Sequence, residues 1–216
     1  MDFELARRNM VASQVLVNKV NDPLVIDAIS QVPREKFLPV NRQNLAYLDQ
    51  DLELSSGRWL MQPMVAARLI QLADLRTQDN VLVLPCGAGY MSVLISKMVE
   101  SVVSIEEDKT IYTSVSKTIS ELAPDNVVVI NSPLKEGCLS ESPFDVIFFD
   151  GGVEKIPDNI QLQLADKGRL VAVFNDGKVG RATIIERYGD AFGKRVEFDV
   201  SIPTLPEFKV KNTFLF

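Results

Sequence analysis

The chain has 216 residues, 46% hydrophobic and 24% charged, which excludes disordered, collagen-like and fibrous classes. A net charge of −6 speaks against a general nucleic-acid binder, whose surface would be basic, and no apolar run reaches the roughly 18 residues needed to cross a bilayer. There is no histidine, so Ser–His and Cys–His nucleophile pairs and His-containing metal sites are excluded. Two cysteines, Cys86 and Cys138, are too few for a structural zinc site, and no metal is expected. The charged opening MDFELARRNM lacks the apolar core of a signal peptide, so a soluble cytoplasmic protein without a membrane partner is expected.

Residues 3–17 predict an amphipathic helix. Asp22-Pro23 reads as a helix start, with Asp as cap and Pro in the first turn; Val25, Ala28, Ile29 and Val32 then share one face until Pro33 stops the helix. Residues 34–60 are irregular, and a third helix starts at Pro63. From residue 80 the pattern changes. Short apolar runs at 81–84, 101–106, 126–130, 144–150 and 168–174 alternate with helical segments, predicting a doubly wound, mostly parallel α/β sheet. Residues 182–188 and 195–202 are β-rich and joined by a short loop, so the sheet ends in an antiparallel hairpin. A single domain over 1–206 is expected, with a helical portion at 1–75, a Rossmann-like portion at 76–206 and a tail at 207–216.

In such a fold a ligand binds beyond the carboxyl ends of the strands, beside the first glycine-rich turn. That turn is Pro85-Cys86-Gly87-Ala88-Gly89. Glycines let the backbone approach a ligand, and the following helix offers free N–H groups; a plain tight turn is the competing reading. Glu106 ends the second strand, 19 residues after Gly87. A carboxylate at about that spacing accepts ribose hydroxyls in nucleoside-binding α/β folds, although a solvated strand-end acid has the same signature. Tyr90-Met91-Ser92 after Gly89 breaks the dinucleotide fingerprint, which with the helical N-terminal portion disfavours a nicotinamide dehydrogenase.

RRNMVASQV, DPLVIDAISQVPREKFLP, AYLDQDLEL, VLVLPCGAGY, SIEED, PFDVIFFD and FDVSIPTL, in this order from about residue 7 to 205, resemble the protein-L-isoaspartate O-methyltransferase family. The resemblance implies a class I methyltransferase fold and S-adenosylmethionine as cofactor. It implies methyl transfer to the carboxylate of isoaspartyl residues in damaged proteins or peptides, with no nucleic-acid partner. Gly87, Gly89, Tyr90, Glu106 and Ser132 would bind the cofactor; Met61, in the place of the family's active-site Ser, and Gln62 would lie at the catalytic position.

Four replacements fall on that implied site. GRWLMQP stands where the family has Gly-Gln-Thr-Ile-Ser-Gln-Pro, so Met61, which cannot orient a carboxylate, replaces Ser. Val83 stands for the acid ending the first strand, Pro85 for the first glycine, and Ser132 for the Asp near the adenine. The expectation is weakened or lost cofactor affinity and reduced activity. The alternative is a noncatalytic family member that keeps the fold as a binding or assembly module. The apolar tail FKVKNTFLF could then pair with a second copy, or fold back onto its own sheet.

Overall fold

The computed structural model describes residues 1–55, 57–123, 125–177 and 179–210. Helix α1 (Phe3–Met10) opens the chain and continues as a wider turn and a 3-10 turn to Asn18, ending at Lys19 in the left-handed region. Helix α2 (Pro23–Gln31) starts where Asp22 accepts from the N–H groups of Leu24 and Val25. The stretch expected to be irregular holds 3-10 turns and a small antiparallel pair, β1 (Leu52–Glu53) with β2 (Trp59–Leu60). Helix α3 (Pro63–Leu72) follows, then β3 (Asn80–Leu84), α4 (Tyr90–Ser96), β4 (Ser101–Ile105), α5 (Lys109–Leu122) and β5 (Val127–Ile130). Strand β6 (Phe144–Val153), helix α6 (Asp158–Gln161), β7 (Leu164–Asn175), β8 (Gly180–Tyr188) and β9 (Ala191–Asp199) complete the order.

Seven strands form one sheet in the order β5-β4-β3-β6-β7-β8-β9. The first five in that order run parallel, and β8 and β9 are antiparallel, as the pattern predicts. Several boundaries differ, two of them through the pairing of the strands. The helical segment between the runs at 144–150 and 168–174 is one turn long because β7 already begins at Leu164, paired with Phe144. The last strand begins at Ala191, since the turn from β8 needs only Gly189 (φ 59°) and Asp190.

Alternation along the strands feeds two apolar layers, as the period of a strand requires. Val81, Val83, Val146, Phe148, Val171 and Val173 face a large core shared with α1 to α5. Leu82, Leu84, Ile147, Phe149, Leu170 and Ala172 face a smaller one. Among the described residues, α6, short turns and the C-terminal segment cover the smaller layer. That segment folds back: Gly152 donates to the Pro203 carbonyl (2.9 Å) and accepts from Leu205 (2.8 Å). Phe208 is buried edge-on to Phe149, ring centres 5.1 Å apart. Residues 207–210 therefore lie against their own sheet, while 211–216 of the expected pairing tail lie outside the described residues.

Candidate functional site

The chain leaves β3 in one direction for β4 and β5 and returns to pair β6 on the other side. This reversal puts the expected crevice at the carboxyl ends of β3 and β6. The glycine turn lies there, Gly87 at φ 54° and Gly89 at φ 88°. A Cβ on Gly89 would come within 2.8 Å of Val115, so α5 also requires that glycine; on Gly87 the nearest atom would be Asp150 Oδ2 at 3.9 Å. Tyr90 opens α4 with its ring buried against Phe37 and beneath the Arg34 guanidinium, 4.8 Å from the ring centre. Cys86 is buried and desolvation pushes its thiol up to about 12, an inert residue.

Glu106 sits just past β4 and is fully buried. Arg58 approaches from the turn between β1 and β2, donating from Nε to Oε2 (3.0 Å) and from Nη2 to Oε1 (2.8 Å). The Gly87 N–H donates to Oε2 (3.2 Å) and the Asp108 N–H to Oε1 (3.1 Å). A carboxylate has about four acceptor positions, and all of these are taken. The remaining Arg58 arm, Nη1, reaches both carboxylate oxygens of Glu207, at 2.9 and 3.1 Å. Burial works against the Arg58 charge, but hydrogen bonding and attraction from Glu106, then Glu207, raise its pKa.

Met61, Gln62, Asp51 and Asp150 form a neighbouring group. Met61 is buried and its carbonyl accepts from Arg34; the Gln62 N–H donates to Asp51 (2.8 Å). With Trp59, Gly151 and Leu205, the Met61, Asp51 and Asp150 side chains enclose a space of only about 10 Å³. Asp150 is carried by a bulge at the end of β6, where Phe148 pairs with Val171 but Gly152 with Val173. It is 8% exposed, and its Oδ1 has no hydrogen-bond partner among the described residues. Desolvation pushes its carboxyl up to about 8, Arg34 only partly offsetting this and Asp51 adding to it. Asp51 is likewise raised, chiefly by burial. Burial lowers the Arg34 pKa, and its Nη1 is also without a partner among the described residues.

Ser132 is half-buried in the segment after β5, whose preceding Asn131 donates to the Glu106 (2.7 Å) and Glu107 (3.1 Å) carbonyls. A cleft of about 450 Å³ opens beside the glycine turn, between α5 and the segments holding Leu38 and Leu54. The structure thus brings Gly87, Gly89 and Glu106 together and keeps Met61 and Gln62 in the adjacent group. Sequence reasoning missed Arg58 and Glu207. Among the described residues no cluster of His, Cys, Asp or Glu could hold a metal ion, and no helix is long and apolar enough to cross a membrane.

Residues 6–201 match the family model described as protein-L-isoaspartate(D-aspartate) O-methyltransferase. The chain belongs to the protein-L-isoaspartate O-methyltransferase family. A protein-L-isoaspartate O-methyltransferase 1 from Rhodopseudomonas palustris (strain HaA2) is 33% identical over 78% of this chain and 69% of its own. One from Roseiflexus castenholzii is 31% identical over 88% and 87%. Among solved structures, a protein-L-isoaspartate O-methyltransferase shares the fold with a TM-score of 0.81 at 23% identity, covering 92% of this chain; this chain spans 65% of that one. A Plasmodium falciparum structure, titled a putative member in complex with S-adenosyl-L-homocysteine, has a TM-score of 0.77 at 19% identity and coverage of 96% and 99%. The class I methyltransferase fold and the family are those the sequence motifs imply.

Proposed function

We propose that this protein is a protein carboxyl methyltransferase, with S-adenosylmethionine as donor and isoaspartyl carboxylates of damaged polypeptides as acceptors, working more slowly than its relatives. The reading rests on the glycine turn and Glu106 at the switch point of a chain that matches the family over residues 6–201. A carboxylate acceptor is already ionised at neutral pH, so the reaction asks for no histidine base. The two separate, buried thiols suit a cytoplasmic setting.

As arranged, the residues do not fit the adenosyl group. Glu106 has no acceptor position left for ribose hydroxyls, and the space between Met61 and Asp150 is about one water in size. Met61 offers no hydrogen bond to a substrate carboxylate. The saturated Glu106 therefore also favours a second reading, a family member that has kept the fold without the reaction.

Calorimetric titration with S-adenosylmethionine and S-adenosylhomocysteine, paired with labelled-methyl transfer to an isoaspartyl peptide and its aspartyl control, separates the two. Measurable binding with slow, isoaspartyl-selective transfer is expected. No transfer at any cofactor concentration would leave the noncatalytic reading.

A further inference from the structure

Arg58 ends a tight turn whose geometry is fixed from two sides. Its N–H donates to the Ser55 carbonyl (2.8 Å) and its carbonyl accepts from Leu54 (2.9 Å). Gly57 in the same turn has φ 74°, and a Cβ there would stand 2.4 Å from Pro206 Cγ. The turn is thus seated directly beneath the C-terminal segment, and the residue after Pro206 is the Glu207 that holds Arg58 Nη1. The segment is itself anchored by Leu205, which lies within 2.7 Å of where a Gly151 Cβ would be, and by the buried Phe208. Arg58 therefore stands between a fixed, fully buried carboxylate and a second carboxylate on a strap of the same chain.

We infer that Arg58 is an internal occupant of the ribose subsite: it takes both oxygens of Glu106, Glu207 holds it there, and an adenosyl ligand binds only once Arg58 has left. The inference rests on the reading above that the site is built for an adenosyl donor. Three observations carry it. Arg58 reaches both Glu106 oxygens, the pair that a cis-diol would need. Its bonds are charge-assisted, so a neutral diol cannot displace them on strength alone. The cleft of about 450 Å³ is walled by Leu54 and Ser55 of the Arg58 turn as well as by Gly87, which gives the arginine or the ligand room beside the turn. Arg58 thus sets whether this family member takes its cofactor, and the C-terminal strap sets how firmly Arg58 stays.

The test compares the full-length protein with Arg58→Gln and Glu207→Gln, titrating each with S-adenosylhomocysteine and following thermal melting with and without it. Gln is the residue that the family resemblance places at this position. Arg58→Gln should bind about tenfold tighter or more, because the ribose need no longer replace a charge-assisted pair. Glu207→Gln should gain a smaller factor. Adding Glu106→Ala to Arg58→Gln should abolish the gain. If Arg58→Gln does not fold, Arg58→Lys takes its place, keeping a cation that cannot span both oxygens. A folded Arg58 variant that binds no tighter than the natural protein, where the natural protein binds measurably, overturns the inference and leaves the methyl-donor reading standing. Absence of binding by every folded variant overturns both.

Discussion

At Glu106 every acceptor position of a buried carboxylate is met, whereas at Asp150, on the same edge of the sheet, another buried carboxylate leaves Oδ1 without a partner among the described residues. The two clusters deal with buried charge by different means. Around Glu106 a guanidinium and two backbone N–H groups take every acceptor position, so the site is closed by pairing. Around Asp150 no cation among the described residues is hydrogen-bonded to it, so burial favours the neutral acid and pushes its carboxyl up to about 8. A locked acceptor admits a ligand only by breaking an ion pair. A protonated carboxyl, in contrast, retains a donor to offer.

The comparison breaks most severely at Arg58. Arg58→Met would leave Glu106 buried with backbone bonds alone, and removing one partner of a buried pair costs about 3–5 kcal/mol. Urea denaturation at neutral pH should show a loss of that order. Asp150→Asn, in the unpaired cluster, should cost nothing under the same conditions. Equal losses at the two positions would mean that the difference in pairing has no energetic content.

Asp150 is sharpened by pH. Its folded pKa of about 8 lies above the ordinary carboxylate value of 3.8. The folded state then holds a proton that the unfolded chain gives up between those values, so the stability from this group is complete below about pH 4 and is lost as pH rises towards 8. Each unit in that window removes up to about 1.4 kcal/mol. Asp150→Asn should flatten the slope, so its advantage over the natural protein should be small at pH 4.5 and largest at pH 8. Parallel stability profiles across that range would show that Asp150 is ionised in the folded protein.

Much of this arrangement is legible in the sequence, and the illegible part has a physical reason. Alternating apolar runs with helical spacers fix the sheet, and Gly87 with Glu106 marks the crevice because strand and helix lengths set their separation. Arg58 is hidden because its role depends on burial and on Glu207, 149 residues away in the chain. The only local signal is its place in GRWLMQP, where the family resemblance puts an uncharged Gln. Asp150 closes the apolar run at 144–150, but its isolation comes with the bulge in β6, which no pattern of residue types displays.

Gly57 tests the frame that holds the paired cluster. Gly57→Ala adds a Cβ in the left-handed region and drives it into Pro206, so the turn carrying Arg58 and the strap carrying Glu207 cannot both keep their places. A loss of about 1–3 kcal/mol is expected from strain and overpacking together. Hydrogen exchange should show amides 203–210 losing protection while the strands stay protected. Uniform loss of protection across the sheet would mean that the turn and strap are not a separable unit.

The smallest effect should come from Glu207. It is the most exposed member of the ion triad, 16% of its side chain, and its removal leaves Arg58 bonded to Glu106. Glu207→Gln keeps the shape and one acceptor oxygen, so only the charge-assisted part of two bonds is lost, about 1 kcal/mol at this half-buried position. The strap retains its backbone bonds to Gly152 and the burial of Phe208, which do not depend on that charge. Raising salt should shrink the difference between the natural protein and the variant, because the half-buried Glu207 arm of the triad is screened more than the buried Arg58–Glu106 arm. A loss as large as that of Arg58→Met would place the energetic centre of the cluster on the strap instead of the buried pair, and closure of the site would then be a property of the C-terminal segment.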